Sequence, residues 1–173
     1  MKNAKFEAAV HYVIDRCKND PSRLGSTRLN KALWHADVLA YKMGGESITG
    51  AQYEKRQNGP VPRDILRILD GLKVDEKVHV SEPEFPFEPR RLVSLESATS
   101  SHFSNMEVHY IEHAIKYVLN QTASEASEET HDIVWESAMV GEQIPLSSTL
   151  ASNIGAVTEE VVDWAKKSIE ASN

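Results

Sequence analysis

His109-Tyr110-Ile111-Glu112-His113 is the sharpest chemical pattern in the chain. Residues four apart share one face of a helix, so two such imidazoles can grip a zinc ion while the glutamate acts as general base. A zinc hydrolase of this kind also needs a third ligand and a sheltered cleft. Glu128, Glu129 and His131 are the nearest candidates along the sequence. Yet the apolar stripe of the same segment centres near Val108 and Ile115, and His109 and His113 fall away from it. Solvated histidines on a surface helix are the simpler reading, because patterns this short arise readily by chance.

Other chemistry is thinner still. Serines are plentiful, but no G-x-S-x-G elbow is present, and neither glycine-rich phosphate loop occurs. Cys17 is the single cysteine. It excludes a disulfide within the chain and a cysteine zinc box, and its place on an apolar stripe suggests a buried structural thiol. Lys31 and Asp37 flank Trp34, which reads as an interaction face or polar cluster, or as an ordinary exposed helix surface with one semi-buried indole. Lys55, Arg56, Arg63 and Arg67 are the one basic cluster that a DNA-binding autoregulator would use. Phe85 and Phe87 sit between prolines in a loop, where two rigid aromatics either anchor a partner or fold back over the core.

Several elements must position these groups. Phe6, Ala9, Val10, Val13, Ile14 and Cys17 recur at helical spacing, and Asp20-Pro21-Ser22 ends that helix. Ser26 or Thr27 suits the cap of a second helix with Leu29, Ala32, Leu33, Ala36, Leu39 and Met43 inward, stopped by Gly44-Gly45. Tyr53 to Arg56 reads as extended. Gly59-Pro60-Val61-Pro62 reads as a stiff corner leading into a helix that buries Ile65, Ile68, Leu69 and Leu72. Two alternating runs, 77–80 and 91–95, predict a small hairpin around the proline-rich loop 82–89. Ser104 and Glu107 have capping-box spacing ahead of a helix with Val108, Ile111, Ile115, Val118 and Leu119 inward. A further helix is expected after Thr122, and a last one over 158–171 with Val161, Trp164, Ala165 and Ile169 inward. The expectation is a mainly α (α+β) single domain over 1–173: a bundle of about six helices with a small antiparallel hairpin.

The 173 residues, 40% of them hydrophobic, supply a core of ordinary size. A net charge of −7 argues against a general nucleic-acid coat. No apolar run is long enough to span a membrane and no signal-peptide core is visible, so the chain reads as cytoplasmic.

One resemblance gathers these pieces. Leu29-Asn30-Lys31-Ala32-Leu33-Trp34-His35-Ala36-Asp37 resembles the L-x-K-L-L-Y/W-x-A-D helix of the Panacea domain, the SocA-like antitoxin family. Ile48-Thr49-Gly50 with Tyr53 is similar to its I-T-G-x-x-Y element, and Gly59-Pro60-Val61-Pro62 to its G-P-V-P element. His131, Trp135, Ala138, Gly141-Glu142 and Ile144-Pro145 resemble its closing H-x-x-x-W-x-x-A…GE-x-I-P. The motif-bearing part runs over about residues 5–146. The resemblance implies an antitoxin-like protein of bacterial or phage-related context that neutralises a cognate toxin by direct binding, or delivers it to an ATP-dependent protease. It implies no cofactor, metal or catalytic residue, and it makes the motif residues scaffold.

Overall fold

The computed structural model describes residues 2–81, 90–121 and 138–150. The elements run α1 (Lys2–Arg16), α2 (Ser26–Gly44), β1 (Tyr53–Arg56), β2 (Gly59–Pro62), α3 (Ile65–Val74), β3 (Val78–Val80), β4 (Leu92–Ser94), α4 (Asn105–Leu119) and β5 (Gln143–Ile144). Short 3-10 turns occupy Pro21–Arg23 and Leu146–Leu150. The fold is mainly helical with small antiparallel sheets. Among the described residues there are four α-helices, not about six; the helices expected after Thr122 and over 158–171 lie outside the described residues.

α2 is the central element because it is buried on opposite sides. Leu29, Ala32, Leu33 and Ala36 join the main core with Phe6, Val10, Val13 and Ile14 of α1, Ile68 and Leu72 of α3, and Ile111, Ile115 and Val118 of α4. Trp34 instead packs with Tyr53 and Ile144 on the sheet side. Burying each such aliphatic side chain contributes about 1.5–3 kcal/mol. Two sequence expectations for α2 need correction. Gly25, not Ser26 or Thr27, occupies the cap position, with no side-chain hydrogen bond. Met43 is 72% exposed, because the last turn of α2 runs past the core into an exposed stretch at 42–46. Gly45 does end the helix: it turns left-handed at φ 78° and returns its N–H to the Tyr41 carbonyl.

The corner read from Gly59-Pro60-Val61-Pro62 is a strand. β2 pairs antiparallel with β1, Arg56 facing Gly59 and Tyr53 facing Pro62. The prolines are tolerated because β2 is an edge strand, in the order β2-β1-β5. The Arg63 N–H donates to the Gln52 carbonyl at 2.8 Å. Bonded and non-bonded pairs alternate along an antiparallel ladder. Pro60 and Pro62 therefore take the positions whose nitrogens face away from β1. β3 and β4 form the expected hairpin, with Val78 facing Ser94 and Val80 facing Leu92.

α4 begins on the expected capping box, with Ser104 and Glu107 exchanging both hydrogen bonds. Burial opposes ionisation of Glu107, but Lys5 at 2.6 Å and the Ser104 N–H outweigh it and hold the carboxyl below its ordinary value of 4.5. A depressed folded value means the ionised group stabilises the fold above about pH 4.5, and that contribution is lost as pH falls through the folded value. The stability difference between the wild type and Glu107→Gln is accordingly expected to shrink below that pH in urea titrations. A constant difference across pH 7 to 3 (about neutral to acid) would remove this assignment.

Candidate functional site

The motif residues assemble around one carboxylate. Asp37 leaves α2 toward the loop that follows it and is fully buried. Its Oδ1 accepts the backbone N–H groups of Ile48 and Thr49, both at 2.9 Å. Its Oδ2 accepts the Thr49 hydroxyl and, at 2.7 Å, the Tyr53 hydroxyl. The Thr49 Oγ1 in turn accepts the Ala51 N–H at 3.0 Å. One side chain thus ties the α2–β1 loop and the start of β1 to the central helix. Burial pushes the Asp37 carboxyl up from its ordinary range, against the downward pull of these donors. Burial, with the Asp37 charge beside it, also drives the Tyr53 phenol well above 10.

An aromatic wall closes the knot. The Trp34 and Tyr53 rings meet edge to face at 4.8 Å, a favoured geometry for aromatic pairs. Ile144 of β5 packs on both and faces Tyr53 across the sheet. Gly141 makes this return possible: at φ 87° it adopts a left-handed turn, and its N–H donates to the Lys55 carbonyl at 2.8 Å. Glu142 closes the same turn, its carboxylate accepting the Met139 N–H at 2.7 Å and its carbonyl the Lys55 N–H at 2.8 Å. Lys31, one helical turn before Trp34, is also buried. Gly50 and Pro145 follow their motif partners in the connecting loops, while His131, Trp135, Phe85 and Phe87 lie outside the described residues.

Both Asp37 oxygens are engaged and enclosed, so this carboxylate is an internal joint between α2 and the loop that follows it. The polar-cluster reading of α2 did not extend to these partners, because Asp37 finds two of its donors on the backbone, and side-chain types do not reveal backbone donors.

In the zinc pattern on α4 the glutamate is engaged with another helix, and the third-ligand candidates Glu128, Glu129 and His131 lie outside the described residues. Glu112 turns to α1, accepting the Tyr12 hydroxyl at 2.8 Å and pairing with Arg16. His109 and His113 are exposed, and the His113 ring stacks on Tyr117. Among the described residues no three His, Cys, Asp or Glu side chains come together as a metal-holding group. Three members of the basic cluster are paired with acids. Arg56 and Arg63 both pair with Glu54, and Arg67 with Asp64. Lys55 is buried with its ammonium on the Ala138 carbonyl at 2.9 Å.

Cys17 is buried in the core, and burial pushes its thiol up to about 11. A thiol so protonated is a poor nucleophile. Iodoacetamide at neutral pH is expected to leave Cys17 unmodified in the native chain and to alkylate it fully in denaturant, read by intact mass. Rapid native alkylation would contradict its burial.

The family model described as antitoxin SocA-like, Panacea domain, matches residues 29–136. No curated protein and no solved structure matches the chain. The match begins on α2 and includes the Asp37 knot, β1 and the β2 edge. The chain belongs to the SocA-like antitoxin family and carries its Panacea domain.

Proposed function

We propose that this chain is a non-catalytic antitoxin-like module that binds a cognate protein toxin and neutralises it in the cytoplasm. Family membership over residues 29–136 carries the reading. The enclosed Asp37 knot supports it, since Asp37, Thr49 and Tyr53 engage one another inside the scaffold. No helix among the described residues is long and apolar enough to cross a membrane. Delivery of the toxin to an ATP-dependent protease is the finer alternative, and it equally needs no catalytic residue.

Co-expression with the product of the neighbouring gene tests this. Rescue of growth with a stable, co-purifying complex is the expected result. Rescue that vanishes in a host lacking ATP-dependent proteases, with no stable complex, selects the adaptor route. A neighbour that is toxic alone, is not rescued and does not bind would overturn the antitoxin reading at this locus.

A further inference from the structure

A cavity of about 330 Å3, sharing no residue with the Asp37 knot, opens between α1, α3 and the loop that follows β4. Ala4 and Ala8 of α1, Leu72 of α3 and Ala98 give it a small apolar wall. Its size is at the lower end for ligand pockets, so it suits a group of a few heavy atoms. His11 is the deepest polar side chain of the lining, at 8% exposed. The Glu96 carbonyl lies 3.2 Å from the His11 Nε2, and the Ser94 hydroxyl donates to the same carbonyl at 2.6 Å. A carbonyl only accepts, so Nε2 carries a proton and donates. The neutral ring then keeps an acceptor at Nδ1. Among the described residues this Nδ1 makes no hydrogen bond.

The remaining polar groups divide into those already engaged and those still open. The Lys77 ammonium sits between Glu7 at 3.3 Å and Asp75 at 3.2 Å, so two carboxylates answer its one charge. The Thr99 hydroxyl is taken by Ser101, donating to its Oγ at 3.1 Å and accepting its N–H at 3.2 Å. The Glu96 carboxylate, by contrast, has no ion pair and no hydrogen bond among the described residues. The cavity therefore presents two open acceptors, the His11 Nδ1 and the Glu96 carboxylate, and no lysine or arginine without a carboxylate partner. An anion would meet the Glu96 charge with no open ammonium to offset it. A ligand without donors would leave the enclosed imidazole nitrogen unpaired, which is costly.

We propose that this cavity binds a small organic cation with several N–H donors, a guanidinium or a primary ammonium. One N–H meets the His11 Nδ1, another the Glu96 carboxylate, and a short alkyl stem lies along Ala4, Ala8 and Leu72. Both cations match carboxylate and imidazole acceptors through directed N–H bonds. The −7 charge of the chain attracts any cation. The imidazole acceptor and the apolar wall turn that attraction into a preference for donors on a stem. Two sources carry this chemistry: a free small molecule, and the arginine or lysine side chain of a protein. The site stands independently of the antitoxin reading.

Nitrogen NMR of the histidine side chains in the full chain, titrated with ethylguanidinium at neutral pH, tests this. The His11 Nδ1 resonance is expected to move and saturate, with a Kd on the order of a millimolar for so small a probe. Propylammonium should act likewise. Tetramethylammonium, which has the charge but no N–H, and acetate should leave the resonance in place. Glu96→Gln should weaken ethylguanidinium binding about tenfold. Ala8→Leu, which fills the cavity, should abolish the shift. Glu46→Gln is the control, an exposed carboxylate outside the cavity, and should change nothing. Unchanged melting temperatures exclude misfolding. A stationary Nδ1 resonance, an equal response to tetramethylammonium, a response to acetate, or indifference to both Ala8→Leu and Glu96→Gln would overturn the proposal. A blocked Gly-Arg-Gly peptide separates the sources. Binding at least as tight as that of ethylguanidinium assigns the group to a protein side chain. Weaker binding or exclusion assigns it to a free molecule.

Discussion

Asp37→Ala is expected to cost about 3–5 kcal/mol of folding stability, among the largest effects of any single substitution here. The change strands two backbone N–H groups and two hydroxyls in a buried space. Each unpaired buried donor costs about 1–3 kcal/mol. The full sum is not reached, since alanine also removes a buried carboxylate whose desolvation opposed folding, and hydroxyls rotate toward other acceptors. Asp37→Asn should cost far less, about 1–2 kcal/mol. Its carbonyl can keep the Ile48 and Thr49 N–H groups while its amide donates to the hydroxyl oxygens. Urea unfolding of the three proteins decides the matter. Equal losses for alanine and asparagine would show that charge, and not acceptor geometry, holds the joint.

Tyr53→Ala is expected to cost a similar amount, about 3–5 kcal/mol, for a different reason. Tyr53 is wholly buried, and its ring packs in one cluster with Trp34 and Ile144. Truncation opens a cavity there and frees one edge of the aromatic pair. Tyr53→Phe keeps the packing and removes only the hydroxyl from Asp37, which should cost about 1 kcal/mol. The Asp37→Asn and Tyr53→Phe effects should couple, because the residues share one hydrogen bond. A double-mutant cycle with no coupling would mean that the bond contributes nothing beyond each residue's separate role. Both alanine variants should weaken partner binding in proportion to the fraction unfolded. A variant that keeps its unfolding midpoint and loses binding would move Asp37 or Tyr53 from scaffold to interface.

The helices with a single apolar face were legible in the residues. Phe6, Val10, Val13 and Ile14 mark the inner side of α1, and Ile65, Ile68, Leu69 and Leu72 that of α3. The capping box at Ser104 was equally plain, because it is a local exchange between residues three apart. α2 was only half legible. Its aliphatic stripe identified one buried side, while Lys31 and Asp37 suggested that the other faced water. Charged residues ordinarily do so. What reverses the rule is the sheet, and the sheet depends on pairings that no local pattern announces. Gly59-Pro60-Val61-Pro62 read as a corner because proline breaks ladders, and the exception for edge strands becomes visible only once the strand order is known.

The pairing of Tyr53 with Ile144 has a consequence in time. The knot around Asp37 forms from residues 37–53, but its outer wall arrives only with β5. Synthesis at the usual cellular pace separates the two by on the order of ten seconds. Until then Trp34 and Tyr53 lack their closing neighbour, and a nascent chain carries an unfinished hydrophobic corner. The joint between α2 and the sheet is thus completed late in translation, and a chain stopped before Gly141 is expected to leave Trp34 and Tyr53 without Ile144.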